Sequence, residues 1–459
     1  MSDFLFREFD QVSTKEWKQK IQVDLKGADY NDTLIWKSLE GIDVKPFYHK
    51  DNSNTETTNV PGHPNSWNIA QEIFIDDEKI ANSLILATLK RGADIVFIVS
   101  ENVFNPDIVF ENYSFEEHPI YFSFLFLSEE FIQRLKQFFS DKKATIYYNI
   151  DIIGNLARTG NWYHNLKKDH AILENIIQKE TAKNILSVDA SLYQNAGANM
   201  VQQLAYSMAH ANEYLNHFAA ISKGSQLKIT FNLSVGTNYF FEIAKIRALR
   251  KLYALLAEEY GISTICYICT KPSKRNKTLY DYNVNLLRTT TENMAAIQGG
   301  ANTVCSVAYD NIYHKSNEFG ERIARNQLLI LKLESYFNST DDPAKGSYYI
   351  EYITQQLSKK ALLLFKSIEA NGGFLHQLKE GIIQRKIKES AEKEQQLFDS
   401  GELELLGTNI HKNSNDRMKN ELELYPFIKI KKIKTLIEPI IERRLSEKIE
   451  LERLNKEQE

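Results

Sequence analysis

Short apolar runs of period two recur along the chain, and longer stretches of period 3.6 separate most of them. The short runs are WNIAQEI (67–73), DIVFIVS (94–100), IYFSFLF (120–126), ATIYYNI (144–150), NILSVDA (184–190), LKITFNLSV (227–235), STICYIC (263–269) and NTVCSVA (302–308). Between them lie DDEKIANSLILATLKRG, EEFIQRLKQFFS, ANMVQQLAYSMAHANEYLNHFAAIS and FFEIAKIRALRKLYALLAEEYG, each spaced as an amphipathic helix. Eight strands alternating with helices predict parallel pairing through right-handed crossovers. The simplest closed solution is a (β/α)8 TIM barrel. An open doubly wound sheet shares this periodicity, but no G-x-G-x-x-G follows the first strands. The predicted class is therefore α/β, a TIM barrel with an extended N-terminal arm and a helical C-terminal tail.

Three regions follow from the pattern. Residues 1–45 hold aromatic and charged residues with no core of their own, and read as an arm (Phe4, Phe6, Phe9, Trp17) lying on its own barrel or on another subunit. Residues 46–395 are the barrel. Residues 396–459 read as a polar linker and a charged tail whose alternating signs suit a solvated helix.

Composition narrows the partners more than the fold. A formal charge of −4 speaks against nucleic acid, which wants a concentrated cationic face. No apolar run approaches the ~18 residues of a membrane span. The opening MSDFLFREFD is acidic where a secretory leader is basic and then apolar, so the expected compartment is the cytoplasm. Three cysteines give no disulfide framework. Cys266 and Cys269 form a C-x-x-C without a second pair or nearby His, and three residues apart on a strand they point to opposite faces. They read as core cysteines, and no metal site is expected.

Six longer blocks carry the chemistry. They are EGIDVKPFY (40–48), YQNAGANMVQQLAYSMAHANEYL (193–215), FFEIAKIRALRKLY (240–253), YNVNLLRTTTENMAAIQGGANTV (282–304), ERIARNQLLILKLES (321–335) and DPAKGSYYIEYIT (342–354). In order and spacing they resemble the coenzyme-B12-dependent acyl-CoA mutases, methylmalonyl-CoA mutase in particular. That resemblance implies a barrel enclosing acyl-CoA and a separate domain holding adenosylcobalamin. The cofactor would supply a radical that lets the thioester group migrate.

The chain departs from the pattern where the chemistry resides. Active members carry a His two residues before Q-x-AGA that hydrogen-bonds the thioester carbonyl; here the position is Leu192, which can neither donate nor accept. Their R-P-W-T-I-R-Q-Y element, aligned on Trp67, becomes Asn65, Ala70 and Glu72 at the Arg, Arg and Tyr positions. An R-T-H-x-Q-T-S-G loop is replaced by CTKPSKRNKTL (269–279), whose Lys274 and Arg275 read as an exposed basic loop or a contact to a CoA phosphate. No D-x-H-x-x-G is found, and the stretch after the barrel is expected to be too short for a cobalamin domain; His411 in TNIHKNSND reads as a surface histidine.

Other positions persist. The resemblance implies vestigial substrate contacts at Arg247, Arg288, Thr289 and Asn302, although each also suits a structural bond, and Arg325-Asn326 suits a loop anchor. Lost chemistry on a kept scaffold resembles the small subunit of heterodimeric methylmalonyl-CoA mutase. It implies no catalytic residue in this chain, a large-subunit partner, and adenosylcobalamin and acyl-CoA held by that partner. Two alternatives stay open. One is an acyl-CoA-binding or regulatory partner of a related mutase, such as isobutyryl-CoA mutase. The other is an enzyme built on Asp189, Ser191, Glu72 and Asn232, though these show no nucleophile–base arrangement.

Overall fold

A computed structural model describes residues 8, 10–52, 59–178, 184–219, 221, 227–429 and 433–457. The barrel strands are β1 (Asn68–Phe74), β2 (Ile95–Ser100), β3 (Ile120–Phe124), β4 (Ile146–Tyr147), β5 (Leu186–Asp189), β6 (Ile229–Val235), β7 (Tyr267–Pro272) and β8 (Thr303–Cys305). All pair in parallel with their neighbours in sequence, and β8 returns to β1 with Thr303 opposite Asn68. Between β4 and β5 the ring closes through the bridge Ile150–Leu186, where Ser187 N donates to Ile150 O at 3.1 Å. The (β/α)8 barrel expected from the periodicity is the one observed.

One strand is displaced from its sequence reading. The run 263–269 supplies only the start of β7, because Ser263 and Ile265 form a turn in which Ile265 N donates to Ser263 Oγ. Pairing instead runs on through Lys271 to Pro272, beside Ser234 and Val235 of β6.

The principal helices are α1 (Thr14–Asp24), α2 (Glu78–Lys90), α3 (Glu129–Phe139), α4 (Leu166–Gln178), α5 (Met200–Phe218), α6 (Tyr239–Glu259), α7 (Val284–Gly299), α8 (Glu318–Leu329), α9 (Tyr348–Ala370), α10 (Ile382–Ser400) and α11 (Glu447–Lys456). A reciprocal box starts α5: Asn199 Oδ1 accepts from Gln202 N at 3.0 Å, and Gln202 Oε1 accepts from Asn199 N at 3.1 Å. Helix α9 lies over α5 and α6, so these two are buried on the barrel side and on the outer side. Among the described residues no helix is long and apolar enough to cross a membrane.

Alternation along the strands divides the core in two. Outward residues such as Ile69, Val96, Phe122, Val188 and Phe231 pack against the helices. Inward residues form a second cluster of Ala70, Ile95, Phe97, Tyr121, Tyr147, Cys269 and Cys305, with Val99 and Tyr267 against it. Cys266 belongs to the outer core and Cys269 to the lumen, as a strand spacing of three requires.

At the N-terminus, α1 has no fully buried residue and touches the body through Trp17, edge-on to Phe47 at 6.3 Å. Phe4, Phe6 and Phe9 lie outside the described residues. At the C-terminus, α11 buries Leu454 in a cluster with Leu279, Tyr280, Tyr313, Met418 and Phe427. Upstream of α11 the chain is non-helical around Pro439, which has no N–H to donate and biases Glu438 toward extended backbone.

Candidate functional site

In a TIM barrel the reactive groups stand at the C-terminal ends of the strands. Here that mouth opens onto an ion pair. Glu72 of β1 meets Lys271 of β7, and the Lys271 ammonium lies 4.1 Å from the centroid of Phe97. The Glu72 side chain is 48% exposed, so the pair faces solvent above the rings beneath it. Burial in the recess would raise the Glu72 carboxyl, but Lys271 outweighs it and holds it below the usual carboxylate range.

Beneath the pair the lumen is filled. Tyr121 stacks on Tyr147 at 4.1 Å between centroids, Tyr267 packs on Tyr147 at 4.7 Å, and Phe97 stacks on Tyr121 at 5.9 Å. Tyr267 shares a 2.7 Å hydrogen bond with Thr303. Between the rings and the mouth, Cys269 is buried and its thiol is pushed up to about 12, so it stays protonated and unreactive.

The loop after β5 holds the missing-histidine position. Leu192 is buried, and Tyr193 beside it shares a 2.8 Å hydrogen bond with His210 Nδ1. His210 Nε2 lies 2.9 Å from Asp151 Oδ1, which also accepts from Tyr214 Oη at 2.6 Å and Gly154 N at 2.7 Å. Asp151 Oδ2 accepts from Asp189 N at 2.7 Å. This buried hub ties the ends of β4 and β5 to α5 and turns no reactive atom toward the mouth.

A second hub holds the Y-Q-N-A-G-A turn. Lys245 of α6 donates to Gln194 Oε1 at 2.8 Å, Gln203 Oε1 at 2.9 Å and Ser234 O at 2.9 Å, and pairs with Glu242 Oε2 at 2.5 Å. Glu242 Oε1 accepts from Gln194 Nε2 and Gly236 N, both at 2.8 Å. Gly197 turns with φ +96°, and a Cβ there would stand 2.5 Å from Ala391, so only glycine permits this approach. The E-I-A-K of FFEIAK thus positions the turn; its retention in the sequence was the available signal, and the reading by family role alone missed it.

Residues 435–446 strap the rim. Ile437 N donates to Gly160 O at 3.2 Å, Ile440 N to Ala157 O at 2.8 Å, Arg443 N to Asn195 O at 3.0 Å and Leu445 N to Arg275 O at 2.9 Å. Glu442 accepts from Asn195 Nδ2 at 3.0 Å and pairs with Arg158 and Lys274, each at 3.4 Å. Burial opposes ionisation of Glu442, but Lys274, Arg158 and Asn195 outweigh it and hold its pKa at about 2. A carboxyl depressed from its ordinary 4.5 contributes stability above pH 4.5 and loses it as pH falls toward 2. The contribution is on the order of 3 kcal/mol. Glu442→Gln is therefore expected to destabilise the chain at pH 7, and urea unfolding of variant and wild type should converge as pH falls from 4.5 to 2.

The expected site residues do not converge. Arg247 is enclosed and paired with Asp342 and with Glu351 at 2.6 Å. Arg288 donates to Thr278 Oγ1 and Asn285 Oδ1, both at 2.9 Å, and to Leu406 O at 2.8 Å. Thr289 Oγ1 bonds back to Asn285 O at 3.0 Å within α7. Asn302 Oδ1 accepts from Arg250 Nη2 at 2.6 Å and Ile268 N at 2.9 Å. Arg325 anchors Gln71 of β1 at 2.5 Å. The basic loop needs correction at one of its two residues: Lys274 is exposed, but Arg275 is buried, paired with Glu394 at 2.5 Å and donating to Arg443 O at 2.9 Å. The cover comes from α10 and the strap, neither of which is local to 269–279.

Of the set Asp189, Ser191, Glu72 and Asn232, the first three are likewise committed, while Asn232 Oδ1 is buried without a hydrogen-bond partner. Ser191 Oγ donates to Asp189 Oδ1 at 2.5 Å, Asp189 Oδ2 holds Arg158 at 2.5 Å, and Glu72 holds Lys271. A serine hydroxyl bonded to an already paired carboxylate, with no imidazole beside it, has no base to activate it.

These elements define a class of protein: a parallel (β/α)8 barrel whose loops are kept and whose lumen is filled. A family model described as methylmalonyl-CoA mutase matches residues 130–456. The chain is 32% identical over 435 residues to the methylmalonyl-CoA mutase small subunit of Porphyromonas gingivalis, covering 88% of this chain and 70% of that protein. It is 26% identical over 482 residues to the methylmalonyl-CoA mutase of Escherichia coli, covering 90% and 66%. It is 30% identical over 256 residues to the methylmalonyl-CoA mutase large subunit of Streptomyces virginiae, covering 54% and 35%. The chain belongs to the methylmalonyl-CoA mutase family, and spans only part of the length of each of these relatives.

Proposed function

We propose that this chain is the non-catalytic small subunit of an adenosylcobalamin-dependent methylmalonyl-CoA mutase, supporting a large subunit that interconverts methylmalonyl-CoA and succinyl-CoA. The observation that carries this reading is the filled lumen. A barrel that encloses an acyl-CoA needs an axial passage, and here Phe97, Tyr121, Tyr147 and Tyr267 occupy the axis. At the mouth, Leu192 replaces a hydrogen-bond donor and Glu72 is spent on Lys271. Arg247, Arg288, Thr289 and Asn302 hold the scaffold rather than waiting for a ligand, which argues against residual CoA binding.

Adenosylcobalamin does not fit the described residues. His411 is exposed, and the residue two before it, Asn409, is a turn anchor: its Nδ2 donates to Leu403 O at 2.7 Å and its Oδ1 accepts from Leu405 N at 2.7 Å. The cofactor, with the acyl-CoA, belongs to the partner subunit.

The double variant Leu192→His with Glu72→Tyr tests the reading within this chain. Restoring both family residues leaves the lumen filled, so no methylmalonyl-CoA turnover is expected with adenosylcobalamin added. Radical signal or turnover from that variant alone would sink the proposal.

A further inference from the structure

We propose that the large subunit docks on the face built by the hairpin Trp36–Val44, the start of α6 and the outer side of α9, and meets it with an apolar centre ringed by carboxylates. This inference rests on the pairing reading above and adds the place and the chemistry of the contact.

Three aromatic side chains stand out of this face: Trp36 is 50% exposed, Phe240 47% and Tyr348 44%. Trp36 and Phe240 each rest on a further ring, in two separate groups. Trp36 packs edge-on to Phe241 at 5.6 Å, Phe240 to Tyr349 at 5.4 Å, and Tyr48 lies against Tyr349 and Tyr352 at 5.3 and 4.9 Å. Single exposed apolar residues are ordinary, but three exposed aromatics on adjoining elements are the composition of an interface centre.

The charge on these elements is mostly cationic. Lys37 and Lys45 on and just after the hairpin, and Lys359 and Lys360 on α9, form no ion pair among the described residues. Lys45 Nζ lies 6.0 Å from the Tyr352 ring centroid, and Lys360 Nζ reaches the hairpin turn, 3.6 Å from where a Cβ on Gly41 would stand. Against them stand Asp43, paired in register with Lys37, and the half-buried Glu40, whose carboxylate accepts from Met200 N at 3.5 Å. A cationic rim on a chain of net charge −4 runs against its average and calls for an acidic partner. A second exposed apolar pair, Ile80 and Leu84 on α2, is aliphatic and serves as the control.

The test titrates the full chain into a methylmalonyl-CoA mutase large subunit from the same genome, at low and at high salt. The variants are Lys37→Glu/Lys45→Glu/Lys359→Glu/Lys360→Glu, Phe240→Asp, and the control Ile80→Ser/Leu84→Ser, with thermal melts for each. Charge reversal is expected to weaken binding about 100-fold at low salt and to remove its salt dependence, Phe240→Asp about 10-fold, and the control not at all. If reversal unfolds the chain, Phe240→Asp carries the decision. Wild-type affinity in both face variants would overturn the docking site and leave the pairing intact. No binding by the wild type would instead remove the pairing itself, and this site with it. A self-dimer, or adsorption to phosphatidylglycerol vesicles, that the reversal abolishes would reassign the face and overturn the proposal.

Discussion

Lys245→Met is expected to lower the free energy of unfolding by about 3–5 kcal/mol, the cost of leaving a buried charge without its partner. Glu242 is fully enclosed and its counter-ion is Lys245; Gln194, Gln203 and Ser234 would lose a donor at the same time. Burial already pulls the Lys245 pKa down, which shows how little water reaches it. The paired change Glu242→Leu/Lys245→Met should recover a large part of the loss, because removing both charges leaves nothing uncompensated but the two glutamines and two backbone groups. Urea unfolding followed by circular dichroism measures both. A loss below about 1 kcal/mol for the single variant would mean that the hub does not hold the turn.

Tyr121→Ala is expected to cost about 3–5 kcal/mol, as for other large-to-small changes in a packed core. Tyr121 is fully buried at the centre of the luminal cluster, with Phe97, Tyr147 and Tyr267 against it. The strands around it cannot close on the vacancy without breaking their ladder, so little of the cavity should collapse. Phenol or indole at millimolar concentration should then raise the variant's melting temperature and leave the wild type unmoved. A variant as stable as the wild type would mean that the lumen is loosely filled, and the reading of a closed barrel would lose its main support.

Much of the architecture was legible in the sequence because periodicity reports which face a residue occupies. The alternation in IYFSFLF, ATIYYNI and LKITFNLSV located β3, β4 and β6, and the C-x-x-C spacing placed Cys266 and Cys269 on opposite sides of β7. Alternation alone does not say which of two buried faces is the lumen, since both are apolar in a barrel. That is why Tyr121, Tyr147 and Tyr267 passed as ordinary strand residues, although Tyr267 sits two positions from the inward Cys269. The resemblance drew attention to positions 192 and 72, but it could not show that Lys271 completes an ion pair with Glu72, because Glu72 and Lys271 are 199 residues apart in the chain. The strap was hidden for the same reason: its bonds are backbone donors to Gly160, Ala157 and Asn195, and backbone donors carry no sequence signature.

Fold and mouth together describe a scaffold held by buried polar hubs around a filled lumen. Glu242–Lys245 and Asp151–His210 fix the loops at the C-terminal ends of β4, β5 and β6. What such a scaffold can still offer is a surface, and the proposed role as a supporting subunit follows from that.

Co-expression with a methylmalonyl-CoA mutase large subunit from the same genome tests this role most directly, read out as co-purified stoichiometry and as turnover of methylmalonyl-CoA with adenosylcobalamin. The account predicts a one-to-one complex that is active and this chain alone inactive. Turnover by this chain alone, or a large subunit that never retains it, would contradict the account.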